Sequence, residues 1–439
     1  MNADKPRLAV SSPGKAARPF VHASICLALL AAPRVVAQSL PPPDTVRDLA
    51  RRSALPVAPQ GAQALGASVQ GRDTGEGPSE QIAEFAAFST HDRRRWKLYP
   101  QINVGWIYDT NVRRTNGGTG DSIYSAGASL GFDYGFPEAP FSLSSSYGLS
   151  YNRYGKFRDQ TGRSQAFHLD THWQPGGRTS VSAVLDFREG LEENYLLGAP
   201  QRTTQVAFRV SADHRLTDNT SWGVDVGVVR VKADALGSSM EESANLHADL
   251  LVTPKFRVGA SLGGGLRSSD NSDSEGYSSA RLRLNWQISG KLSVSGSMGA
   301  DFRQKPGGGS LITPSGDLTL LHDVSDKTKL RLVAYTRIQP GNGVSGNNAN
   351  TYGLTLGLTQ ALPKRFSFSI AGGYELAGST NATAQDSQVL FVQSGLGWQV
   401  SDHLNATLSY SFFKRLSSTT VATDGYAQSQ FSLGLGYAF

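Results

Sequence analysis

Along most of this chain apolar and polar residues alternate one for one. In residues 122–136, Tyr124, Ala126, Ala128, Leu130, Phe132, Tyr134 and Phe136 fall on one face, and Ser125, Gly127, Ser129, Gly131, Asp133 and Gly135 on the other. A period of two marks a strand, because successive side chains of an extended backbone point to opposite sides. The run holds for about 13 residues, longer than the roughly 5–6 of an ordinary soluble strand and long enough to cross a bilayer at a tilt. Further copies set Phe141, Leu143, Tyr147, Leu149 and Tyr151 against serines. Others set Phe256, Val258, Ala260, Leu262 and Leu266 against Arg257, Gly259, Ser261, Gly263 and Arg267, and Ala280, Leu282, Leu284 and Trp286 against Arg281, Arg283 and Asn285. The pattern predicts an all-β chain of about 18 such strands, within roughly 16–20.

The connections alternate too. Short turns at 137–140, 217–220, 253–255, 289–291, 325–327, 362–364 and 401–403 follow every second strand, and longer polar stretches at 110–121, 268–276, 340–349 and 414–425 fall between them. Short turns on one side and longer loops on the other are the asymmetry of a transmembrane antiparallel β-barrel, with the turns periplasmic and the loops extracellular. Trp173, Trp222, Trp286 and Trp398 lie near the predicted turns, and Trp106, Tyr108, Tyr151 and Phe187 near the opposite ends. Such rings are favoured at the two lipid–water interfaces. In hydrocarbon each unpaired backbone group costs several kcal/mol, so the first strand must pair with the last. The last strand presents Phe431, Leu433, Leu435, Tyr437 and Phe439 on one face. It resembles the C-terminal signal by which outer-membrane barrels are recognised by their assembly machinery, an exposed edge that another edge strand can pair.

Composition fits a sheet that is polar on one side: 39% hydrophobic residues, 48 glycines, 15 tyrosines and 19 phenylalanines, with a mean hydropathy of −0.29. No apolar run of about 18 residues follows the N-terminal region, which excludes a helical membrane protein. Residues 1–37 read as a secretory signal, with Lys5, Arg7, Lys15 and Arg18 ahead of an apolar stretch and Val35-Val36-Ala37 at the cleavage point. Without them the formal charge falls from +6 to +2, since they carry five basic residues, including Arg34, and Asp4. The basicity therefore implies no nucleic-acid partner. The single cysteine, Cys26, lies in the signal, which removes thiol catalysis, disulfides and cysteine metal sites. Residues 38–97 are rich in Pro, Ala and Gly and read as a periplasmic linker or small plug, and residues 98–439 as the barrel.

The polar phase defines candidate pore-lining residues. Asp133, Asp170, Asp186, Asp213, Asp225 and Asp249 occupy it in the first half, and Arg257, Arg267, Arg281, Arg283, Lys329, Arg331 and Arg337 in the second. Either one acidic wall faces one basic wall and sets a field across the lumen, or these charges pair and hold the barrel in shape. Luminal aromatics are few on this phase, Tyr335 and Phe391 being the clearest, and the loops are too short for one to reach deep into the lumen. His168 and His172 flank Asp170, but i, i+4 spacing in a strand separates the imidazoles by roughly 13 Å, too far to share a metal ion. No nucleophile elbow or phosphate-binding loop occurs, since residues 305–310 lack the required Gly-Lys-Ser/Thr ending. The chain is read as no enzyme, with no cofactor and no metal.

Residues 100–111 (Pro-Gln-Ile-Asn-Val-Gly-Trp-Ile-Tyr-Asp-Thr-Asn), the repeated Ser/Thr-Asp-Lys/His and Pro-Lys turns, and the terminal Tyr437-Ala438-Phe439 resemble a family of outer-membrane porins called β-barrel porin 2, known from exopolysaccharide-related gene neighbourhoods. The likeness spans 98–439. It implies a channel in the cell outer membrane that passes or exports polar solutes, with a link to exopolysaccharide secretion and no catalytic residues. The expected partners are outer-membrane lipid and lipopolysaccharide, the barrel assembly machinery, and polysaccharide or small polar solutes. A structural or surface-interaction barrel with a plugged lumen is the other reading.

Overall fold

The computed structural model describes residues 96–115, 117–135, 140–193, 200–234, 237–270, 272–304, 309–339, 349–379, 387–416 and 425–439. The predicted signal 1–37, residues 38–95 of the predicted linker and most of the turn at 137–140 lie outside them. The described residues form eighteen strands in sequence: β1 (Trp96–Asp109), β2 (Asp121–Tyr134), β3 (Phe141–Tyr154), β4 (Gly162–Gly176), β5 (Thr179–Glu193), β6 (Pro200–Arg215), β7 (Thr220–Ala233), β8 (Gly237–Thr253) and β9 (Phe256–Ser269), then β10 (Ser272–Gln287), β11 (Leu292–Gln304), β12 (Ser310–Ser325), β13 (Thr328–Gln339), β14 (Ala349–Leu362), β15 (Phe366–Ser379), β16 (Ser387–Gln399), β17 (Leu404–Leu416) and β18 (Tyr426–Ala438). Each pairs antiparallel with the next, and β1 pairs with β18 from Gln101↔Ala438 to Asp109↔Gln430. The sheet is a closed 18-stranded barrel without a free edge, the condition hydrocarbon imposes on strands. Trp96 and Lys97, assigned above to the linker, already belong to β1.

Register carries one phase continuously around the outside. Val104 pairs with Leu435 and Ala126, Leu282 with Ala260 and Met298, and Leu354 with Ala334 and Tyr374. This face is bare of protein contact, with Met298 69% and Leu282 and Ile312 each 65% exposed. A belt of that extent is unsustainable in water and natural in lipid. Trp96, Trp173, Trp222, Trp286 and Trp398 stand on it near the turn ends, and Trp398 stacks on Phe366 at 5.4 Å while Trp286 meets Phe256 edge-on at 5.9 Å. Trp106 and Tyr108, stacked at 6.4 Å, mark the loop side. Phe187 does not; β5 continues past it through Glu193, and it pairs with Phe167 in the middle of the strand.

The turn chemistry is local. At Thr253, Ser289, Ser325 and Ser401 the hydroxyl accepts a hydrogen bond from the backbone N–H two residues on, at 3.2–3.3 Å. The hydroxyl thus fixes the reversal without demanding glycine. The turn after β14 instead places Lys364 and Arg365 at positive φ, 60° and 64°. One predicted long loop is absent. Residues 268–276 continue β9 to Ser269 and resume β10 at Ser272, leaving 270–271 as the connection. The polar run there is strand and not loop: Arg267, Glu275 and Tyr277 are inner-face residues, and a register shift between Ser272 and Glu275 interrupts the alternation.

Candidate functional site

The face opposite the belt holds the residues singled out by phase. Asp133 lies on β2, Asp170 on β4, Asp186 on β5, Asp213 on β6, Asp225 on β7 and Asp249 on β8. Arg257 and Arg267 lie on β9, Arg281 and Arg283 on β10, and Lys329 and Arg331 on β13. Arg337 is on β13, with its side chain outside the described residues. Acidic β2–β8 and basic β9–β13 are contiguous arcs, and they meet where Asp249 Oδ2 lies 3.5 Å from Arg283 Nη1.

Within each arc the charges are countered by residues that the phase reading left out. His247 is clasped between Asp213 Oδ1 at 2.9 Å and Asp225 Oδ2 at 3.4 Å, and Ser211 donates to Asp225 at 2.6 Å. His168 Nδ1 meets Asp186 at 2.8 Å. In the basic arc Arg281 contacts Asp301 at 3.1 Å, with Ser315 donating to the same oxygen, and Arg303 reaches Glu275 at 3.5 Å while lying 4.8 Å over the Tyr277 ring. Asp301, Arg303, Glu275 and His247 carry the same alternation as their neighbours; Glu275 was hidden in the predicted loop. The arrangement is a belt of cross-strand pairs whose exposed members differ: Asp213 keeps 52% of its side chain open and Arg283 37%, while Asp301 keeps 4%.

These side chains lie along the wall. A Cβ added to Gly223 would fall 2.5 Å from both Asp213 and His247, and one at Gly353 would fall 2.1 Å from the Tyr335 ring. Each glycine is a seat on which a neighbour's larger group lies flat, and Tyr335 is held there by its hydroxyl donating to Glu375 at 2.6 Å. Laid flat, long side chains narrow the bore less than if they crossed it.

The loop-side mouth over β17, β18 and β1–β3 is built differently. Asp109, fully buried, accepts from Gln428 at 2.6 Å, Gln430 at 2.9 Å and the Asn111 backbone at 2.7 Å. Asn111 then donates to Ala427 O at 3.0 Å and Thr115 O at 2.8 Å. Residues 110–115 are thereby folded against the inner wall: Val112 packs with Ile107, Ile123 and Tyr154, and Arg114, at φ 52°, lies 5.4 Å over Phe413. Burial pushes the Arg114 guanidinium below its ordinary value, and Tyr426 and Asp109 hold it up. Phe413 belongs to a second cluster with Val389, Phe391 and Tyr426. Asp121 pins the next loop by accepting from the backbone of Lys156 at 2.9 Å and Phe157 at 3.0 Å. Inner-face aromatics thus number more than Tyr335 and Phe391: Tyr154, Tyr277, Phe413 and Tyr426 join them. These six are at most 8% exposed and pack instead of offering a stacking track, while Tyr99, beside Gly131 on the inner face of β1, is half-buried. The loop folds inward at the mouth only, and does not run deep.

A closed sheet, apolar outside and polar within, defines the class: a transmembrane β-barrel of the outer-membrane type. Residues 333–439, from the middle of β13 to the end of β18, match a family model described as "Putative MetA-pathway of phenol degradation". Among solved structures the chain is similar to OpdL of Pseudomonas aeruginosa, with 9% identity over 78% of this chain and 98% of that one and a TM-score of 0.44. It is similar to OpdK of the same organism, solved with vanillate, with 11% identity over 78% and 99% and a TM-score of 0.43. It is also similar to the FrpB iron transporter of Neisseria meningitidis, with 10% identity over 82% and 84% and a TM-score of 0.45. No curated protein matches.

Proposed function

We propose that the barrel is a passive channel of the outer membrane that lets polar solutes cross a hydrated, charge-lined bore without covalent chemistry. The observation that carries this is the inner wall: polar and charged side chains seated flat on glycines, with Asp213 and Arg283 open to the bore. The resemblance of residues 100–111 adds exopolysaccharide as the solute class to try first. The test is single-channel recording on the folded chain in a planar bilayer. Discrete current steps support the channel, and silence from correctly folded protein overturns it. The inward fold of 110–115 favours a second reading, a barrel kept shut at its mouth for a structural or surface role. Steps that emerge only after residues 112–118 are replaced by a short Gly-Ser segment would decide for it.

A further inference from the structure

The outer face carries one concentration of charge that the channel reading does not use. On the outward phase at the loop end of β3–β7 stand Arg153, Arg163, Arg202, Arg230 and Lys232. Register sets them at the upper edge of the belt: Arg163 pairs with Tyr151, Arg230 with Val206, and Lys232 with Thr204. Val206 in turn continues the row Tyr147, Phe167, Phe187. Arg153, Arg163, Arg230 and Lys232 are exposed. Among the described residues the acids near them are Glu189, already held by Arg202 at 2.9 Å, Asp159 between β3 and β4, which lies 3.9 Å from Arg113, Asp234 in the following turn, and Glu242 on β8. Elsewhere the loop end of this face carries Tyr108, Tyr124, Ile312, Tyr352 and Phe431, with Lys414 an isolated cation among the described residues.

Cations spread over several strands, directly above lipid-facing aromatics, meet acyl chains and headgroup charge together. We propose that this surface binds the phosphates of lipid A in the surrounding leaflet, which ties one side of the barrel to the lipopolysaccharide layer. Arginine suits the task because its fork takes two phosphate oxygens at once, and each cation near such a surface strengthens binding about fivefold. The inference rests on the proposed embedding, with the loops outward.

Native mass spectrometry of the folded full chain, released from detergent carrying bisphosphorylated or dephosphorylated lipid A, counts retained lipid directly. The variant combining Arg163→Ser, Arg202→Ser, Arg230→Ser and Lys232→Ser should lose at least about tenfold of the affinity for bisphosphorylated lipid A. The turn-side control Lys255→Ser, Lys291→Ser, Lys327→Ser should keep it, and dephosphorylated lipid A should bind both alike. Equal retention by the patch variant, or equal binding of the two lipids by the unaltered protein, overturns the proposal. If the fourfold variant does not fold, Arg230→Glu carries the same comparison with an expected loss of about fivefold or more. Failure of the embedding itself would show separately, as loss of protease protection of the unaltered chain in vesicles.

Discussion

The mouth over β17, β18 and β1–β3 and the mid-wall over β6–β11 are both built from inward side chains, yet they obey different rules. At the mouth Asp109 and Asn111 are sealed, and their partners, Gln428 and Gln430 for Asp109 and the Ala427 carbonyl for Asn111, lie across the seam where the first and last strands meet. Along the mid-wall the charges are paired and in two pairs one member stays wet: Asp213 and Arg283 remain open while their partners His247 and Asp249 are covered. A buried acceptor has no water to replace a lost donor, whereas a hydrated pair exchanges one partner for another at little cost. The mouth is therefore the place where the barrel is locked, and the mid-wall the place where, in the proposed channel, a passing ion would be felt.

The sharpest way to break this contrast is Asp109→Ala. It strips three buried donors of their acceptor at the closing seam, and should lower stability by about 2–4 kcal/mol, read as a lower unfolding temperature in detergent and earlier loss of the compact, heat-modifiable band on gels. A change no larger than that of Asp213→Ala would remove the distinction between sealed and wet sectors. A smaller effect is expected from Arg281→Ala with Arg283→Ala. Loss of these cations leaves Asp301 and Asp249 facing the bore without their partners. A unit charge about 10 Å away in water is worth about 0.4 kcal/mol, or about twofold in permeability per site. The reversal potential in a salt gradient should move toward cation preference; an unchanged value would mean the ions do not pass this arc.

The sheet was legible because two solvents read it. Lipid on one side and a polar interior on the other force alternation with few exceptions, so the strand number to within about two and the face of Asp213 or Arg283 follow from period two, and the turn ends from the alternation of short and long connections. Pairing was not legible. Whether Arg281 meets Asp301, or Asp225 meets His247, depends on register between strands and not on spacing within one. The mouth was least legible, since Asp109 and Gln428 lie 319 residues apart. The resemblance had marked Tyr-Asp-Thr-Asn at 108–111 without a physical reason, and the structure supplies one: Asp109 clamps β1 to β18, and Asn111 turns the chain inward. Segment 268–276 misled because its polar composition and the register shift between Ser272 and Glu275 hid two strand ends behind the look of a loop.

The most direct measurement is thiol accessibility during conduction. Asp213→Cys and Phe413→Cys would be placed singly in a chain whose one natural cysteine, Cys26, lies in the predicted signal, and a charged, membrane-impermeant thiol reagent added to an open bilayer channel. The account predicts stepwise loss of current for Asp213→Cys and no change for Phe413→Cys, which is 2% exposed beneath Arg114. Reaction at position 413 with none at 213 would contradict it, because the sealed sector would then be the conducting one.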